Sequence, residues 1–237
     1  MIKPNLIIIP GWGGNFQTWS DFITLAQRYF EVMCIELPCF GNEPCPDMIW
    51  GVDEYANFAI EKIKKIKGKK ILLGHSFGGQ IATYIVAKNP KLIDKLVLSG
   101  AAIFRPKKSL KRTIFYVLAK IGKLIFRLPI LNRLEIVMKK ILYRFAKSPD
   151  YTHTSGRKKE IFQKIIRQDL GYLLPNVKVK TFVVWGEDDS YVPVIQGKRI
   201  AKLIPDSSLE IIKGGRHGLH IHNKKYLLNI LKKTILT

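Results

Sequence analysis

The amino-acid sequence predicts an α/β fold in which a doubly wound, mostly parallel sheet carries helices on both faces. Three observations predict it. Short, near-continuous runs of Ile, Val and Leu alternate with longer amphipathic segments, as expected of strands buried on both sides and joined by crossover helices. A glycine-rich turn follows the third apolar run, and one long basic segment interrupts the alternation. The length of 237 residues suits one domain with an insertion.

Six short apolar runs predict strands, and the amphipathic segments between them predict helices. The first strand stops at Pro10 and Gly11, and residues 38–50, rich in Pro, Gly and Asn, predict a loop. The predicted strands are residues 6–9, 31–37, 71–73, 95–98, 180–185 and 208–212. The predicted helices of this part of the chain are residues 16–28, 53–67, 80–88, 194–203 and 224–236. Taken in order, these elements build a sheet between two layers of helices.

A segment without strand-like runs interrupts the alternation between residues 102 and 171. We assign it to a helical cap, inserted between the two parts of an α/β core formed by residues 1–101 and 172–237. The helices predicted for the cap are residues 109–126, 131–146 and 157–168. Residues 105–148, here called the basic segment, carry 13 Lys and Arg against one acidic residue, Glu135. Apolar residues recur at helical spacing within it, so the basic segment is also amphipathic.

The composition excludes several classes of protein. Lys and Arg number 40 against 18 Asp and Glu, which gives a formal net charge of +22, while 47% of the residues are hydrophobic. Such a chain can bury a core, so a disordered tail, a collagen and a disulfide-framed mini-protein are excluded. Nucleic-acid binding is not expected in spite of the charge, because the sequence contains no recognised nucleic-acid module.

The cysteines and the amino terminus predict a cytoplasmic location. Cys34, Cys39 and Cys45 are odd in number, which favours reduced thiols over a disulfide framework. Their spacing matches no zinc template. The apolar run 6–9 is too short for a secretory signal, and no stretch is long and apolar enough for a spanning helix.

The strongest chemical signal is the G-x-S-x-G pattern that begins at Gly74 and centres on Ser76. It stands between a predicted strand and a predicted helix, the context in which this pattern presents a nucleophilic serine. The chain must turn sharply there, and Gly74 and Gly78 leave room for the turn. The following helix aims its free N–H groups at a developing oxyanion. His75 is expected to pack beneath the turn.

A nucleophilic serine needs a base and an acid that orients the base, and on such a sheet the chain order is Ser, Asp or Glu, then His. Asp188 and Asp189 compete for the acid, because both follow the predicted strand 180–185. His217 is the preferred base since it directly follows a pair of glycines, and His220 is its main competitor. Both loops open on the same sheet edge as Ser76.

These motifs resemble those of the α/β-hydrolase superfamily over nearly the whole chain except the cap. The family pattern G-x-x-D-x-x-V-P matches residues 186–193 and selects Asp189 as the acid. Residues 10–14, P-G-W-G-G, look like the H-G-x-G oxyanion loop of the family with proline in place of the histidine. By similarity, the backbone N–H groups of Trp12 and Phe77 form the oxyanion hole. Arg216 precedes the catalytic histidine where the family usually has glycine, and it is expected to point outward.

The resemblance implies a serine hydrolase that cleaves carboxylic esters through a Ser76–His217–Asp189 triad and an acyl-enzyme, with no metal or organic cofactor. It leaves three alternatives open. The same three residues serve C–C bond hydrolases, and they also serve hydrolases of acyl-carrier-protein esters or thioesters. Some relatives have lost catalysis and bind ligands instead.

The resemblance also bears on partners. The Trp-containing oxyanion loop is similar to that of pimeloyl carrier-protein methyl ester esterases, which implies that the basic segment docks an acidic acyl carrier protein. Attachment to an anionic membrane surface, with access to lipid esters, is a second interpretation. A solvated basic face is the third. The expected substrate is a small-molecule or lipid ester, held by a protein that is cytoplasmic or peripheral to a membrane.

Overall fold

The computed structural model describes residues 3–105 and 155–236. Within them, six parallel strands form one sheet in the spatial order β2-β1-β3-β4-β5-β6. The strands are β1 (Asn5–Ile9), β2 (Glu31–Cys34), β3 (Lys70–His75), β4 (Lys95–Ser99), β5 (Lys180–Gly186) and β6 (Ser207–Ile212). The predicted α/β class and the parallel sheet are confirmed.

Seven α-helices of the described residues accompany the sheet. They are α1 (Phe16–Ala26), α2 (Val52–Ile63), α3 (Phe77–Lys88), α4 (Gly156–Ile165), α5 (Val194–Leu203), α6 (Leu219–His222) and α7 (Lys224–Leu236). A 3-10 helix, Gly171–Asn176, lies between α4 and β5. The helices predicted over 109–126 and 131–146 lie outside the described residues, as does the basic segment apart from Arg105.

The side chains of each strand divide between two cores, because successive residues of a strand point to opposite faces of the sheet. In β1, Ile7 and Ile9 pack with apolar residues of α2, α3 and α5. Leu6 and Ile8 pack on the other face with apolar residues of α1 and α7. All four are fully buried, which is why the strand is apolar without interruption and why both faces of the sheet need helices.

The chain divides into two compact units, one formed by Met1–Arg105 with Gly156–Thr237 and the other by Pro106–Ser155. Helix α4 belongs to the first unit, although the sequence placed it in the cap. The reason is local: Ile161, Phe162 and Ile165 of α4 are buried in the α/β core. The role of the cap in covering the site stays a prediction.

Arg105, the last described residue before the gap at 106–154, is hydrogen-bonded to residues 165–169. Its backbone N–H donates to the Asp169 carboxylate at 2.9 Å. Its guanidinium donates to the carbonyl oxygens of Gln168 (3.0 Å) and Ile165 (3.1 Å). Burial lowers the pKa of Arg105 to about 10, an effect that the nearby Asp169 opposes. The guanidinium therefore stays charged at neutral pH while it satisfies carbonyl groups at the end of α4.

The expectation of three reduced thiols is wrong for two of them. Cys39 and Cys45 form a disulfide, and Cys34 is free. The intervening loop folds back on itself, since the Cys39 amide donates to the carbonyl oxygens of Glu43 (3.1 Å) and Pro44 (3.3 Å). An odd count of cysteines cannot show that fold-back. The thiol argument for a cytoplasmic location falls with it, and that location stays a prediction. No helix in residues 3–105 and 155–236 is long and apolar enough to cross a membrane.

Candidate active site

Ser76 occupies the sharp turn between β3 and α3, with φ +51° and ψ −112°. A left-handed φ is costly for a residue with a side chain, and neighbouring backbone groups hold it in place. The Ser76 amide donates to the carbonyl of Ser99 at 3.0 Å, and its own carbonyl accepts from Gly79 (3.0 Å) and Ala102 (3.1 Å). This is the strained strand-to-helix turn that the G-x-S-x-G pattern predicts.

The glycines around Ser76 are required by close backbone approach. A Cβ on Gly78 would lie 2.0 Å from the carbonyl oxygen of Ile9, and one on Gly74 would lie 2.6 Å from that of Gly78. Both distances are far below van der Waals contact, so neither position can carry a side chain without moving backbone. The strand β1 and the turn thus approach closely enough to bring the residues after β1 to the nucleophile.

Asp189 and His217 lie in the loops after β5 and β6 and meet directly. His217 Nδ1 is 2.7 Å from Asp189 Oδ2. The other carboxylate oxygen, Oδ1, accepts from the backbone N–H groups of Tyr191 (2.9 Å) and Val192 (2.8 Å). The carboxylate side chain is 1% exposed and the imidazole 17%. With Nδ1–H donated to the acid, Nε2 carries the lone pair that a general base needs.

Asp188 and His220, the alternative candidates for the acid and the base, do not take part in this contact. Asp188 is exposed and uses its amide to donate to the carbonyl of Gly215 at 2.8 Å. His220 is buried and stacks on Trp19, with ring centroids 3.9 Å apart and planes 5° apart. Arg216 is exposed, as expected. The geometry therefore favours Asp189 and His217 over their competitors, in agreement with the family pattern.

His75 packs beneath the turn, as predicted. Its Nδ1 is 2.9 Å from the carbonyl oxygen of Ser99, and its ring lies 4.7 Å from that of His217 and 5.0 Å from that of His220. Burial, with a smaller contribution from the two neighbouring imidazoles, holds the pKa of His75 well below its ordinary value. Burial, with smaller contributions from His217 and His222, lowers the pKa of His220 to about 4. Both rings are therefore neutral near pH 7, so neither places a buried positive charge beside His217.

The three predicted triad residues converge at the carboxyl edge of the sheet. Gly100, directly after β4, sits against the acid–base pair: a Cβ there would lie 3.1 Å from His217 Nδ1 and 3.3 Å from Asp189 Oδ2. Among the described residues no hydrogen bond joins Ser76 to His217. Catalytic hydrogen bonds are often long in ligand-free enzymes and tighten in the substrate complex, so the role of Ser76 as nucleophile stays a prediction.

The loop after β1 lies against Ser76. A Cβ on Gly11 would be 3.1 Å from the Cβ of Ser76. Gly13 has φ +78°, and the Gly14 amide donates to the Gly11 carbonyl at 3.0 Å, so the loop makes a tight turn in spite of the proline at its start. In the described part of the chain, the amides of Trp12 and Phe77 donate no hydrogen bond. Their role in an oxyanion hole stays a prediction.

Four aromatic side chains, here called the aromatic cluster, line the space beside this loop. The Trp12 ring contacts the rings of Phe40 (4.8 Å between centroids), Phe162 (4.9 Å) and Phe77 (5.8 Å). The sequence predicts a role for the backbone N–H groups of Trp12 and Phe77, and none for Phe162. A buried phenylalanine on an amphipathic helix carries no local signal of which long-range neighbour it meets. The cluster thus surrounds this loop with apolar side chains.

The described residues contain no group of three or more His, Cys, Asp or Glu side chains that could hold a metal ion. The side chains brought together at the site suit nucleophilic attack by a serine, with a histidine as base and a buried aspartate as its partner.

Comparisons with known proteins agree with this geometry. The family model described as the alpha/beta hydrolase fold matches residues 4–224. A pimeloyl-(acyl-carrier protein) methyl ester esterase from Wigglesworthia glossinidia brevipalpis is 28% identical over 211 residues, which cover 80% of this chain and 76% of that relative. A 2-hydroxy-6-oxo-6-(2'-aminophenyl)hexa-2,4-dienoic acid hydrolase from Metapseudomonas resinovorans is 25% identical over 240 residues, covering 94% and 81%. An esterase structure from Exiguobacterium antarcticum aligns with a TM-score of 0.74 at 17% identity, covering 99% and 92%. The chain belongs to the alpha/beta hydrolase fold family.

Proposed function

We propose that the protein is a serine hydrolase that cleaves carboxylic esters through an acyl-enzyme intermediate. The observation that carries the proposal is the 2.7 Å contact between His217 Nδ1 and the buried Asp189 carboxylate, at the sheet edge where Ser76 adopts its strained turn. A purely structural Asp–His pair does not require a serine in that conformation at the neighbouring strand end.

In the first half of the reaction, Ser76 Oγ attacks the ester carbonyl while His217 Nε2 takes the hydroxyl proton. The carbonyl electron pair moves to oxygen, where the Trp12 and Phe77 amides donate to the oxyanion. Asp189 stabilises the imidazolium and keeps its orientation. The tetrahedral intermediate then collapses, and the C–O bond to the alcohol breaks. His217 returns the proton to the departing alkoxide, which leaves Ser76 acylated.

In the second half, a water molecule takes the place of the alcohol. His217 removes one of its protons as the water oxygen attacks the acyl carbonyl, and the same two amides hold the oxyanion. Collapse breaks the bond to Ser76 Oγ, which takes the proton back from His217 and releases the carboxylic acid. The cycle consumes one ester and one water and needs no further reactant.

The names of the relatives support ester hydrolysis and suggest a second candidate reaction. The pimeloyl-(acyl-carrier protein) methyl ester esterase is named for an ester substrate. The 25% identical relative is named as the hydrolase of a hexadienoic acid carrying oxo and hydroxy groups. We therefore propose C–C bond hydrolysis of such a keto acid as the second candidate, performed by the same triad.

Hydrolysis of p-nitrophenyl esters from acetate to palmitate tests the proposal, with Ser76→Ala beside the wild type. We expect wild-type activity that falls by at least about 10³-fold in the variant, and an optimum of chain length that reports the size of the acyl pocket. Intact-mass analysis after a fluorophosphonate should show one adduct on the wild type and none on Ser76→Ala. Equal activity of wild type and variant on every ester would overturn the proposal. The hexadienoic acid named above would then be the next substrate to test.

We also propose two alternative anionic partners for the basic segment. Docking of an acidic acyl carrier protein or of an anionic membrane surface depends on the basic segment, which carries 13 of the 40 cationic residues and lies almost wholly outside the described residues. Co-sedimentation with vesicles that contain anionic lipid, beside titration with an acidic carrier protein, separates the two partners. Binding of neither would leave the basic segment as a solvated face.

A further inference from the structure

Lys158 lies at the outer side of the aromatic cluster. It stands one helical turn before Phe162 on α4, so both side chains project from the same face of that helix. Phe162 contacts Trp12, and the Lys158 ammonium lies over the ring of Phe40, 4.4 Å from its centroid. Phe40 in turn contacts Trp12 at 4.8 Å. Two aromatic side chains therefore connect Lys158 to the oxyanion loop.

The Trp12 ring connects the aromatic cluster to the residues around Ser76. It contacts Phe77, the residue directly after the nucleophile, at 5.8 Å between centroids. Gly11, the residue before Trp12, lies against Ser76. A substrate whose carbonyl is held by the Trp12 and Phe77 amides therefore has the aromatic cluster as its neighbour. Phe40, which contacts both the Trp12 ring and the Lys158 ammonium, links this loop to the cation.

Within residues 3–105 and 155–236, no carboxylate pairs with the Lys158 ammonium. Two acidic side chains on this side of the core already serve other groups: Glu54 pairs with Lys164, and Glu36 accepts from the amides of Phe16 and Asn42.

Lys158 is also half-buried, and burial lowers the pKa of its ammonium below the ordinary value. A cation that has lost part of its water gains more from a bound anion than a fully exposed one does, because the effective dielectric constant is lower there. The face of Phe40 stabilises the charge and fixes its position, but an aromatic face does not replace an anionic partner.

We propose that Lys158 and the aromatic cluster form a substrate subsite for an anionic group, a carboxylate or phosphate carried several bonds away from the scissile carbonyl. The apolar part of the substrate packs on Trp12, Phe40 and Phe162, and its anionic end pairs with the ammonium. The inference rests on the proposed ester hydrolysis and adds a preference among esters. Lys158 acts here in substrate recognition and has no part in the chemical steps.

A matched pair of substrates tests the subsite. The mono-p-nitrophenyl ester of adipic acid ends in a carboxylate, whereas p-nitrophenyl hexanoate has the same acyl length and ends in a methyl group. We expect Lys158→Gln to lower kcat/KM for the carboxylate-bearing ester about tenfold, mainly through KM, because uniform binding is lost. Activity on the hexanoate should stay within about twofold of the wild type. Lys158→Arg should restore most of the preference.

The control variant removes the same charge at a distance. Lys225 is exposed on α7, in the helix layer on the opposite face of the sheet, so Lys225→Gln should leave the ratio of the two ester activities unchanged. An equal fall of the ratio in Lys158→Gln and Lys225→Gln would overturn the subsite in favour of a general effect of net charge. An unchanged ratio in Lys158→Gln would overturn it outright.

A binding measurement separates the failure of the subsite from the failure of ester hydrolysis. Calorimetric titration of Ser76→Ala with the adipate monoester does not depend on turnover. If the wild type hydrolyses neither ester, the proposed function fails. Weaker binding to the Ser76→Ala, Lys158→Gln double variant would still support the subsite, while equal binding to both would overturn it.

Discussion

The phenol ring of Tyr191 lies stacked on the imidazole of His217, with ring centroids 5.2 Å apart and planes inclined by 23°. The backbone N–H of the same tyrosine donates to Asp189 Oδ1 at 2.9 Å. Tyr191 thus contacts the base with its side chain and the acid with its backbone. The buried ring of His75 lies 4.7 Å from the same imidazole, so His217 has two aromatic neighbours.

The stacking predicts a graded loss of activity at Tyr191. An aromatic face stabilises the imidazolium that forms during attack, by about 0.5–1 kcal/mol at an exposed site. Tyr191→Leu should therefore lower kcat on p-nitrophenyl esters about two- to fivefold, while Tyr191→Phe should retain nearly full activity because the ring persists. Steady-state kinetics of both variants check it. Loss of equal size in Phe and Leu variants would point to the hydroxyl group instead.

Substitutions of the adjacent residues Asp188 and Asp189 should have very different effects on kcat. Asp189→Asn cannot accept the Nδ1–H bond in the same way and favours the wrong tautomer of His217, so kcat should fall by about 10⁴. Asp188→Asn is the matched control, since its side chain is exposed, and it should keep wild-type kcat. Circular dichroism of both variants shows whether the fold is intact. Comparable losses in the two variants would contradict the assignment of the acid.

Acid should destabilise the protein through its buried imidazoles. The pKa of His220 is lowered from 6.5 to about 4 by burial and by its neighbouring histidines, so between those values the unfolded chain binds the proton and the folded chain does not. Stability is therefore full above pH 6.5 and falls as the pH drops toward 4, by about 3 kcal/mol from this residue. The pKa of His75 is also lowered in the folded protein, so His75 adds to the loss of stability as the pH falls.

His220→Phe keeps a ring on Trp19 and removes the titrating group, so it should flatten that slope. Urea unfolding at several pH values between 4 and 7 measures it, with the exposed His222→Gln as control. An identical pH slope in His220→Phe and wild type would contradict the prediction.

Gly78→Ala should destabilise the fold strongly, because the added methyl group would lie 2.0 Å from the Ile9 carbonyl oxygen and 2.5 Å from that of Pro10. Relief of that overlap requires backbone movement between β1 and α3, at a cost of about 3 kcal/mol or more. Gly218→Ala is the control, since the nearest atom to its Cβ is 3.4 Å away. Denaturant midpoints of the two variants provide the measurement, and similar midpoints would show that the turn tolerates the shift.

The Cys39–Cys45 disulfide predicts a definite thiol count. Protein purified without reductant and denatured should react with one equivalent of a thiol reagent, at Cys34, and with three after reduction. Burial raises the pKa of Cys34 to about 12, so this thiol should react slowly in the folded state at neutral pH. Three reactive thiols in the unreduced, denatured protein would show that the pair is reduced in solution.

The sequence predicted those features that depend on neighbours along the chain. The strands were found from apolar runs, and the strained turn at Ser76 follows from the glycines beside it. The local pattern alone does not select Asp189, because Asp188 also follows the predicted strand. Only the family motif distinguishes the two aspartates in the sequence. Contacts between distant segments left no local signal. The ring of Phe162 on Trp12 and that of Tyr191 on His217 depend on how loops and helices meet in three dimensions.

The end of β2 and the packing of α4 also depend on contacts between distant segments of the chain. Strand β2 ends at Cys34, three residues earlier than the apolar pattern predicts, because the chain leaves the sheet edge after pairing with β1 alone. Helix α4 looks like cap in the sequence, since its surface is basic and amphipathic, but its apolar stripe packs into the α/β core. An amphipathic pattern shows that one face is buried and does not show against which unit.

The contacts of Arg105 have a consequence for how this protein can change. The guanidinium fastens the chain leaving β4 to the end of α4, so the α/β core is closed on itself whatever lies between residues 105 and 156. Evolution can therefore lengthen, shorten or exchange the intervening stretch while Ser76, Asp189 and His217 keep their positions. The sequence of the inserted segment and the stability of the α/β core thereby become nearly independent, and this junction offers an engineer a place to graft a foreign segment.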